Sequence, residues 1–141
     1  MIILDTNVIS ELMKSKKSQN VYDWVSQQSV MSLFTTTITQ AEILYGIAIL
    51  PPGKRRNELE KAANLMFTED FFGRIIPFDE NAAIAFANIA AIRRNMGHPI
   101  AQADAQIAAI CHTHKAIIAT RNVADFQGCG ITIINPWEYD N

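Results

Sequence analysis

The chain opens with the stretch Met1-Ile2-Ile3-Leu4-Asp5-Thr6-Asn7, which decides the fold. Residues 1–4 form an unbroken apolar run, which predicts a short buried strand. The polar residues that follow predict the N-terminus of a helix, with Asp5 as a candidate cap. Strands that are apolar on both faces are typical of parallel sheets covered by helices. The opening residues therefore favour an α/β fold in which Asp5 lies directly beyond the first strand.

The rest of the chain alternates helical and strand patterns. Helices are predicted at residues 8–13, around 21–25, at 38–50 and 54–72, from 79 or 81 to 96, and at 101–114. Strands are predicted at 33–36, 74–78, 116–119 and 131–134, with a short turn at 124–126. Thr37 or Thr39 is expected to cap the helix at 38–50. This alternation implies a mainly parallel sheet with helices on both of its faces.

No internal repeat, low-complexity tract or linker interrupts the chain, so residues 1–141 are predicted to form one domain. In open parallel sheets, functional sites form outside the carboxyl ends of the strands. This rule directs attention to Asp5, after the first strand, and to residues 120–125, after the fourth.

Composition and charge limit the function classes. Of 141 residues, 49% are hydrophobic and 18% are charged, as in a folded globular protein. The net charge of −2 argues against indiscriminate adhesion to nucleic acid but is compatible with a nuclease. Basic residues occur in three clusters, and each could contact phosphates or simply form a solvated helix end. The clusters are Lys14, Lys16 and Lys17; Lys54, Arg55 and Arg56; and Arg93 with Arg94.

Targeting and cysteine patterns predict a cytoplasmic protein without a membrane segment. No signal-peptide pattern opens the chain. The apolar stretch at 38–50 is interrupted by Glu42 and is too short to cross a bilayer. Cys111 and Cys129 do not follow zinc-type spacing, and Cys111 falls in an Ala/Ile-rich helical pattern. We therefore expect Cys111 to be a buried free thiol.

Three acids stand out by context. Asp5 is either a helix cap or a site residue. Glu42 shares its helical face with apolar residues, so it is either aimed at the core, where it needs a partner or a cation, or exposed on a rotated helix. Asp104 has Ile107 and Cys111 on its face, although an acid in the first turn of a helix is also favourable to the dipole.

Convergence of the three acids would predict a metal site. Mutual repulsion would raise a carboxyl pKa unless a cation intervened, and oxygen ligands suit Mg²⁺ or Mn²⁺. Such a cation polarises a phosphoryl oxygen and activates water, which favours phosphodiester hydrolysis. A zinc site is disfavoured because His112 and His114 cannot share a helix face, so they and His98 are expected to be ordinary, partly exposed histidines.

Other reaction classes lack their motifs. The chain contains no G-x-S-x-G, no P-loop and no G-x-G-x-x-G. An aspartyl phosphatase would need a second acid in the Asp5-Thr6-Asn7 segment, where Asn7 stands instead. A receiver domain would need adjacent acids near the start and a late lysine, and neither is evident.

Five segments together resemble the PIN-domain family, including its VapC- and FitB-type toxins. They span nearly the whole chain, in the family's order. The segments are ILDTNVI at 3–9, TQAEILYG at 39–46, AQADAQIAA at 101–109, ATRNVADF at 119–126 and NPW at 135–137.

The resemblance implies a three-layer α/β/α fold and endoribonuclease activity that depends on Mg²⁺ or Mn²⁺. Asp5, Glu42 and Asp104 would be catalytic metal ligands. Some relatives place the fourth acid where this chain has Asn122, and others place it where Asp125 stands. We favour Asp125, because Asn122 brings no charge.

The resemblance also implies supporting residues and partners. Thr6, Asn7, Thr120 and Asn122 are expected to orient the carboxylates. The family's toxins act on RNA, form homodimers and are silenced by an antitoxin, through which alone they reach DNA. A basic residue of the antitoxin tail would enter the acidic pocket. The helices at 38–50 and 54–72 are candidate partner surfaces. The alternatives are an inactive PIN-like domain that binds RNA or protein and an inert α/β interaction domain.

Overall fold

The computed structural model describes residues 1–140 and shows the alternation of strands and helices that the sequence predicts. The strands are β1 (Ile2–Leu4), β2 (Leu33–Thr36), β3 (Ile75–Ile76), β4 (Ile117–Ala119) and β5 (Ile133–Ile134). The helices are α1 (Thr6–Leu12), α2 (Gln19–Gln27), α3 (Thr37–Ala48), α4 (Lys54–Leu65), α5 (Glu80–Asn95), α6 (Gln102–Thr113) and α7 (Val123–Phe126). Short 3₁₀ turns cover Val30–Ser32 and Pro136–Glu138.

The five strands form one sheet in the order β3-β2-β1-β4-β5, and every described pairing is parallel. In the centre, Ile3 is in register with Phe34 on one side and with Ile118 on the other. The chain moves outward from β1 through β2 to β3, then returns to build β4 and β5 on the opposite side. The connections therefore reverse between β1 and β4, and this reversal opens a crevice at the carboxyl ends of these two strands.

Helices cover both faces of the sheet. Consecutive strand residues point to opposite faces, so Ile3 and Leu4 belong to different apolar clusters. The cluster around Ile3 includes Ile89 of α5 and Ile107 of α6. The cluster around Leu4 includes residues of α1 to α4, among them Ile43. This arrangement confirms the three-layer α/β/α architecture.

Several element boundaries differ from the sequence prediction. The cap of α3 is neither Thr37 nor Thr39: the hydroxyl of Thr36 accepts from the backbone N–H of Thr39 at 3.1 Å. Thr36 can do so because it is still extended as the last residue of β2. The helix predicted at 54–72 is α-helical only to Leu65 and continues as a π-helical turn over Met66–Asp70.

The remaining expectations on cysteines and membranes can be compared directly with the structure. Cys111 is buried and free, as predicted, and burial raises the pKa of its thiol. Within residues 1–140, no helix combines the length and apolarity needed to cross a bilayer.

Candidate active site

Asp5 is buried at the carboxyl end of β1, with only 3% of its surface exposed. Its carboxylate accepts three hydrogen bonds: from the Thr6 backbone N–H at 2.8 Å, from Asn7 Nδ2 at 3.3 Å and from Thr120 Oγ1 at 2.7 Å. Asp5 is therefore both the cap of α1 and an acid placed in the crevice, so the two alternatives raised by the sequence are not exclusive.

A second set of bonds joins the loops that follow β1 and β4. Asn7 Nδ2 donates to Thr120 Oγ1 at 3.2 Å, and the Asn7 carbonyl oxygen Oδ1 accepts from the Arg121 backbone N–H at 3.2 Å. The backbone N–H of Asn122 donates to Thr120 Oγ1 at 3.0 Å. Thr6, Asn7, Thr120 and Asn122 thus all contribute to the network around Asp5, with Asn122 taking part through its main chain.

Glu42 lies on the exposed side of α3, so an inward orientation is wrong and the rotated-helix alternative holds. The buried side of the helix carries Ile43 and Ile47 instead. Tyr45 and Ile49, which share the face of Glu42, are 68% and 64% exposed. The apolar residues around Glu42 thus form surface, not core, because the helix turns the side with Ile43 and Ile47 toward the sheet.

A threonine pair ties Glu42 to the start of α1. Thr6 Oγ1 donates to Glu42 Oε1 at 2.7 Å, and the hydroxyls of Thr6 and Thr39 are 3.0 Å apart. Since Thr6 has one hydroxyl proton, Thr39 donates to Thr6. Sequence reasoning considered Thr39 only as a cap, although its position three residues before Glu42 on the same helix signals a shared face.

Asp104 lies in the first turn of α6 and is half-buried. The residues predicted to share its face, Ile107 and Cys111, are fully buried, which confirms that orientation. The pKa of Asp104 is raised to about 6, first by burial and then by the charges of Asp5, Asp125 and Glu42. The crevice therefore collects negative charge.

The pKa of Asp5 supports the same conclusion. Burial raises it against the lowering effect of the hydrogen bonds from Thr120 and Thr6, and the charges of Glu42 and Asp125 raise it further. The charges of Glu42 and Asp125 thus act on both Asp5 and Asp104 at the point where the sheet reverses its connections, the switch point between β1 and β4. Asp125 joins them from α7, where its side chain is exposed.

The donor set suits a hard divalent cation. All four groups offer carboxylate oxygens, the ligands that Mg²⁺ and Mn²⁺ prefer. Across the described residues, no three His, Cys, Asp or Glu side chains are already arranged closely enough to hold an ion. Glu42 and Asp125 are exposed, and a single hydroxyl donates to Glu42, whereas three hydrogen bonds hold Asp5. The three histidines are exposed, as expected of ordinary surface histidines.

Two exposed basic residues line a cleft beside Glu42. A cleft of about 360 Å³ between α1, α3 and α4 is lined by Glu42 together with Lys14 and Arg55. Lys14 also pairs with Glu11 at 3.0 Å. Arg93 is buried, so both alternatives raised by the sequence, a phosphate contact and a solvated helix end, are wrong for this residue, because its side chain is enclosed by protein.

Fold and site define a class: a three-layer α/β protein with carboxylates gathered where the parallel sheet reverses its connections. Residues 2–127 match the PIN domain family, whose description is simply "PIN domain". The chain belongs to the PIN domain family.

Relatives match nearly the whole chain. The chain is 39% identical over 138 residues to the VapC ribonuclease Y4jK of Sinorhizobium fredii, and this match covers 98% of the chain and 99% of that protein. It is 36% identical over 137 residues to Toxin FitB of Neisseria gonorrhoeae, covering 97% and 99%. A solved structure of FitAB bound to an IR36 DNA fragment superposes with a TM-score of 0.92 at 35% identity, covering 100% of this chain and 99% of that one. These findings confirm the resemblance noted in the sequence.

Proposed function

We propose that this chain is a metal-dependent endoribonuclease and the toxin of a type II toxin–antitoxin pair. The observation that carries the proposal is the crevice at the carboxyl end of β1, where Asp5 is buried and bonded to Thr120, and where the charges of Glu42 and Asp125 raise the pKa values of Asp5 and Asp104. Two comparisons support the proposal. The chain belongs to the PIN domain family, and a relative that matches nearly its whole length is named a ribonuclease.

In this proposal Asp5, Glu42, Asp104 and Asp125 hold Mg²⁺ or Mn²⁺. When bound, the cation polarises a phosphoryl oxygen and lowers the pKa of water, which is the chemistry that phosphodiester hydrolysis requires. The contribution of the chain is to present the carboxylates. Thr120 and Asn7 hold Asp5 in one orientation, and Thr6 holds Glu42 at the mouth of the crevice.

An acidic crevice alone repels RNA, so phosphate contacts must come from its border. Lys14 and Arg55 line the cleft that contains Glu42, and both are exposed. We propose that these two side chains bind phosphates of the RNA backbone on either side of the scissile phosphate. This division of labour explains how a chain with a net charge of −2 can act on a polyanion.

The exposed apolar surface of α3 and α4 supports protein partners. Leu44 and Tyr45 on α3 and Ile49 directly after it are 47%, 68% and 64% exposed, and Leu65 at the end of α4 is 55% exposed. Contiguous exposed apolar surface is typical of interaction sites. We propose that this surface serves the homodimer and a cognate antitoxin, as the names FitAB and VapBC suggest for the neighbours.

Binding to DNA would then be indirect, through the antitoxin, and the proposed place of action is the cytoplasm. Sedimentation of the purified chain, alone and with a co-expressed antitoxin, distinguishes a dimer from a monomer and a free toxin from a complex.

Cleavage of a labelled structured RNA tests the enzymatic proposal. Wild type is compared with Asp5→Asn, Asp104→Asn and the exposed control Glu58→Gln, in Mg²⁺, in Mn²⁺ and in EDTA. Cleavage that requires metal and is lost only in the two crevice variants is the expected result. Cleavage that survives both variants contradicts the site. Absence of cleavage with every RNA, once a bound antitoxin is excluded, favours the inactive RNA- or protein-binding alternative.

A further inference from the structure

Arg93 is a buried arginine that has no carboxylate partner among residues 1–140. Only 6% of its surface is exposed, and none of the ion pairs among residues 1–140 involves it. It continues the buried side of α5 formed by Ala82 and Ile89, at helical spacing. A buried cation is costly unless polar groups surround it, so its environment shows what it does.

The guanidinium of Arg93 binds backbone carbonyls from two segments. Nε donates to the carbonyl of His98 at 2.7 Å, in the loop after α5. Nη1 donates to the carbonyls of Asp125 at 2.7 Å and Gln127 at 2.9 Å, and it lies 3.7 Å from Cys129 Sγ. One side chain thus joins helix α5 to the segment 125–129, which carries the acid assigned as the fourth ligand.

The segment 125–129 has few other attachments of its own. Helix α7 is a single turn, and the side chain of Asp125 is exposed. Phe126 and Cys129 anchor the segment in the core, with 1% and 3% of their surfaces exposed, but these two side chains do not fix the direction in which Asp125 points. Arg93 binds the carbonyls of the two residues on either side of Phe126. These hydrogen bonds restrict the direction in which Asp125 points.

The charge of Arg93 also reaches the crevice. It lowers the pKa of Asp104, against the effects of burial and of the neighbouring carboxylates. Because the side chain is buried and bonded to backbone carbonyls, it offsets the charge of Asp104 without contacting a substrate.

We propose that Arg93 is a positioning residue that holds the segment 125–129 so that Asp125 faces Asp5 and Asp104. The inference rests on the proposed function, because it assigns Asp125 to the cation site, and it goes beyond that function by naming the group that places Asp125.

A double-mutant cycle tests the inference by Mn²⁺ binding to the full chain, measured by electron paramagnetic resonance in the absence of RNA. The variants are Arg93→Met, Asp125→Asn and the pair combined. Arg94→Met is the matched control, since Arg94 is the exposed neighbour on the same helix. We expect Arg93→Met to weaken Mn²⁺ binding about tenfold, as for other residues that orient ligands, and to have almost no further effect once Asp125 is replaced.

A second readout reports the segment itself. Amide hydrogen exchange at residues 125–129 should accelerate in Arg93→Met and stay unchanged in Arg94→Met. If Arg93→Met does not fold, Arg93→Lys replaces it, because lysine keeps the charge but cannot span the carbonyls; it should weaken Mn²⁺ binding only where Asp125 is present.

Two results would overturn the inference: unchanged Mn²⁺ affinity in Arg93→Met, or an equal loss with and without Asp125, which indicates a general structural role. If the wild-type chain binds no Mn²⁺, the proposed metal dependence fails instead. Hydrogen exchange then decides separately, and unchanged protection at 125–129 in Arg93→Met overturns the positioning role.

Discussion

Asp5 and Glu42 belong to the same candidate site, but they differ in burial. Asp5 is buried at a strand end, and three hydrogen bonds hold its carboxylate. Glu42 is exposed on a helix, and a single threonine hydroxyl contacts it. The remaining acids divide in the same way: Asp104 is half-buried, and Asp125 is exposed.

The difference divides the site into two halves. Asp5 and Asp104, which are buried or half-buried, form the fixed half, and the exposed Glu42 and Asp125 form the adjustable half. Burial and mutual repulsion make the fixed half expensive to ionise, so it gains most from a cation. The exposed half stays in contact with water and can rearrange around an ion. This division explains two observations together. The pKa values of Asp5 and Asp104 respond to the charges of the exposed acids, and yet no three possible ligands among residues 1–140 are already close enough to hold an ion.

The largest effect should come from removing the support of the fixed half. Thr120→Val keeps the shape of the side chain but deletes the hydroxyl that donates to Asp5 and accepts from Asn7. We expect Mn²⁺ affinity to fall roughly 10- to 100-fold and the free energy of unfolding to fall by about 1–3 kcal/mol, because buried polar groups lose partners. Calorimetry of binding and denaturant unfolding measure both.

Thr132→Val is the control for this change, since Thr132 is exposed and only its main chain pairs in the sheet. Equal losses in the two variants would mean that the effect of Thr120 is not specific to Asp5, and the fixed half would lose its basis.

The next effect concerns pH. With a pKa of about 6, Asp104 becomes protonated as the pH falls from 7 to 5. A proton competes with the cation, so Mn²⁺ affinity should drop about tenfold over this range. Asp104→Asn should bind more weakly at pH 7 and show a flatter profile. A wild-type affinity that does not change with pH would contradict the raised pKa.

A smaller effect is expected on stability without metal. The folded pKa of Asp104 lies above its ordinary value of 3.8, so folded protein holds the proton more tightly than unfolded chain. The acid therefore destabilises the fold increasingly from about pH 4 to 6, and fully above that. In chelator, Asp104→Asn should raise Tm by a few degrees at pH 7 but not at pH 4. The exposed control Glu58→Gln should change neither value.

The smallest effect should come from the adjustable half. Glu42→Gln should leave the free energy of unfolding within about 0.5 kcal/mol of wild type, since Glu42 is exposed. Denaturant unfolding in chelator measures this. A loss as large as that of Thr120→Val would remove the distinction between the two halves.

The sequence predicted the fixed half better than the adjustable one. Asp5 follows an unbroken apolar strand, and such a strand has one natural place in a parallel sheet, so its position followed from the fold. The switch point between β1 and β4 then required only the rule about carboxyl ends of strands. The orientation of Asp104 was predicted correctly because its helical face carries Ile107 and Cys111, which are typical core residues.

The orientation of α3 could not be predicted in this way. Both of its faces are apolar, with Ile43 and Ile47 buried and Tyr45 and Ile49 exposed, so hydrophobic periodicity does not identify the inner face. Arg93 was misjudged for a related reason: its charge suggested solvent, although its spacing from Ile89 placed it on the buried side of α5.

The most direct test of the central claim is a Mn²⁺ titration at pH 7 of wild type, Asp5→Asn and Asp104→Asn, each verified to be folded. If the four carboxylates form one cation site, wild type binds Mn²⁺ and both variants lose most of that affinity. Mn²⁺ binding that persists unchanged in both folded variants would show that the cation, if it is used at all, is held elsewhere in the protein.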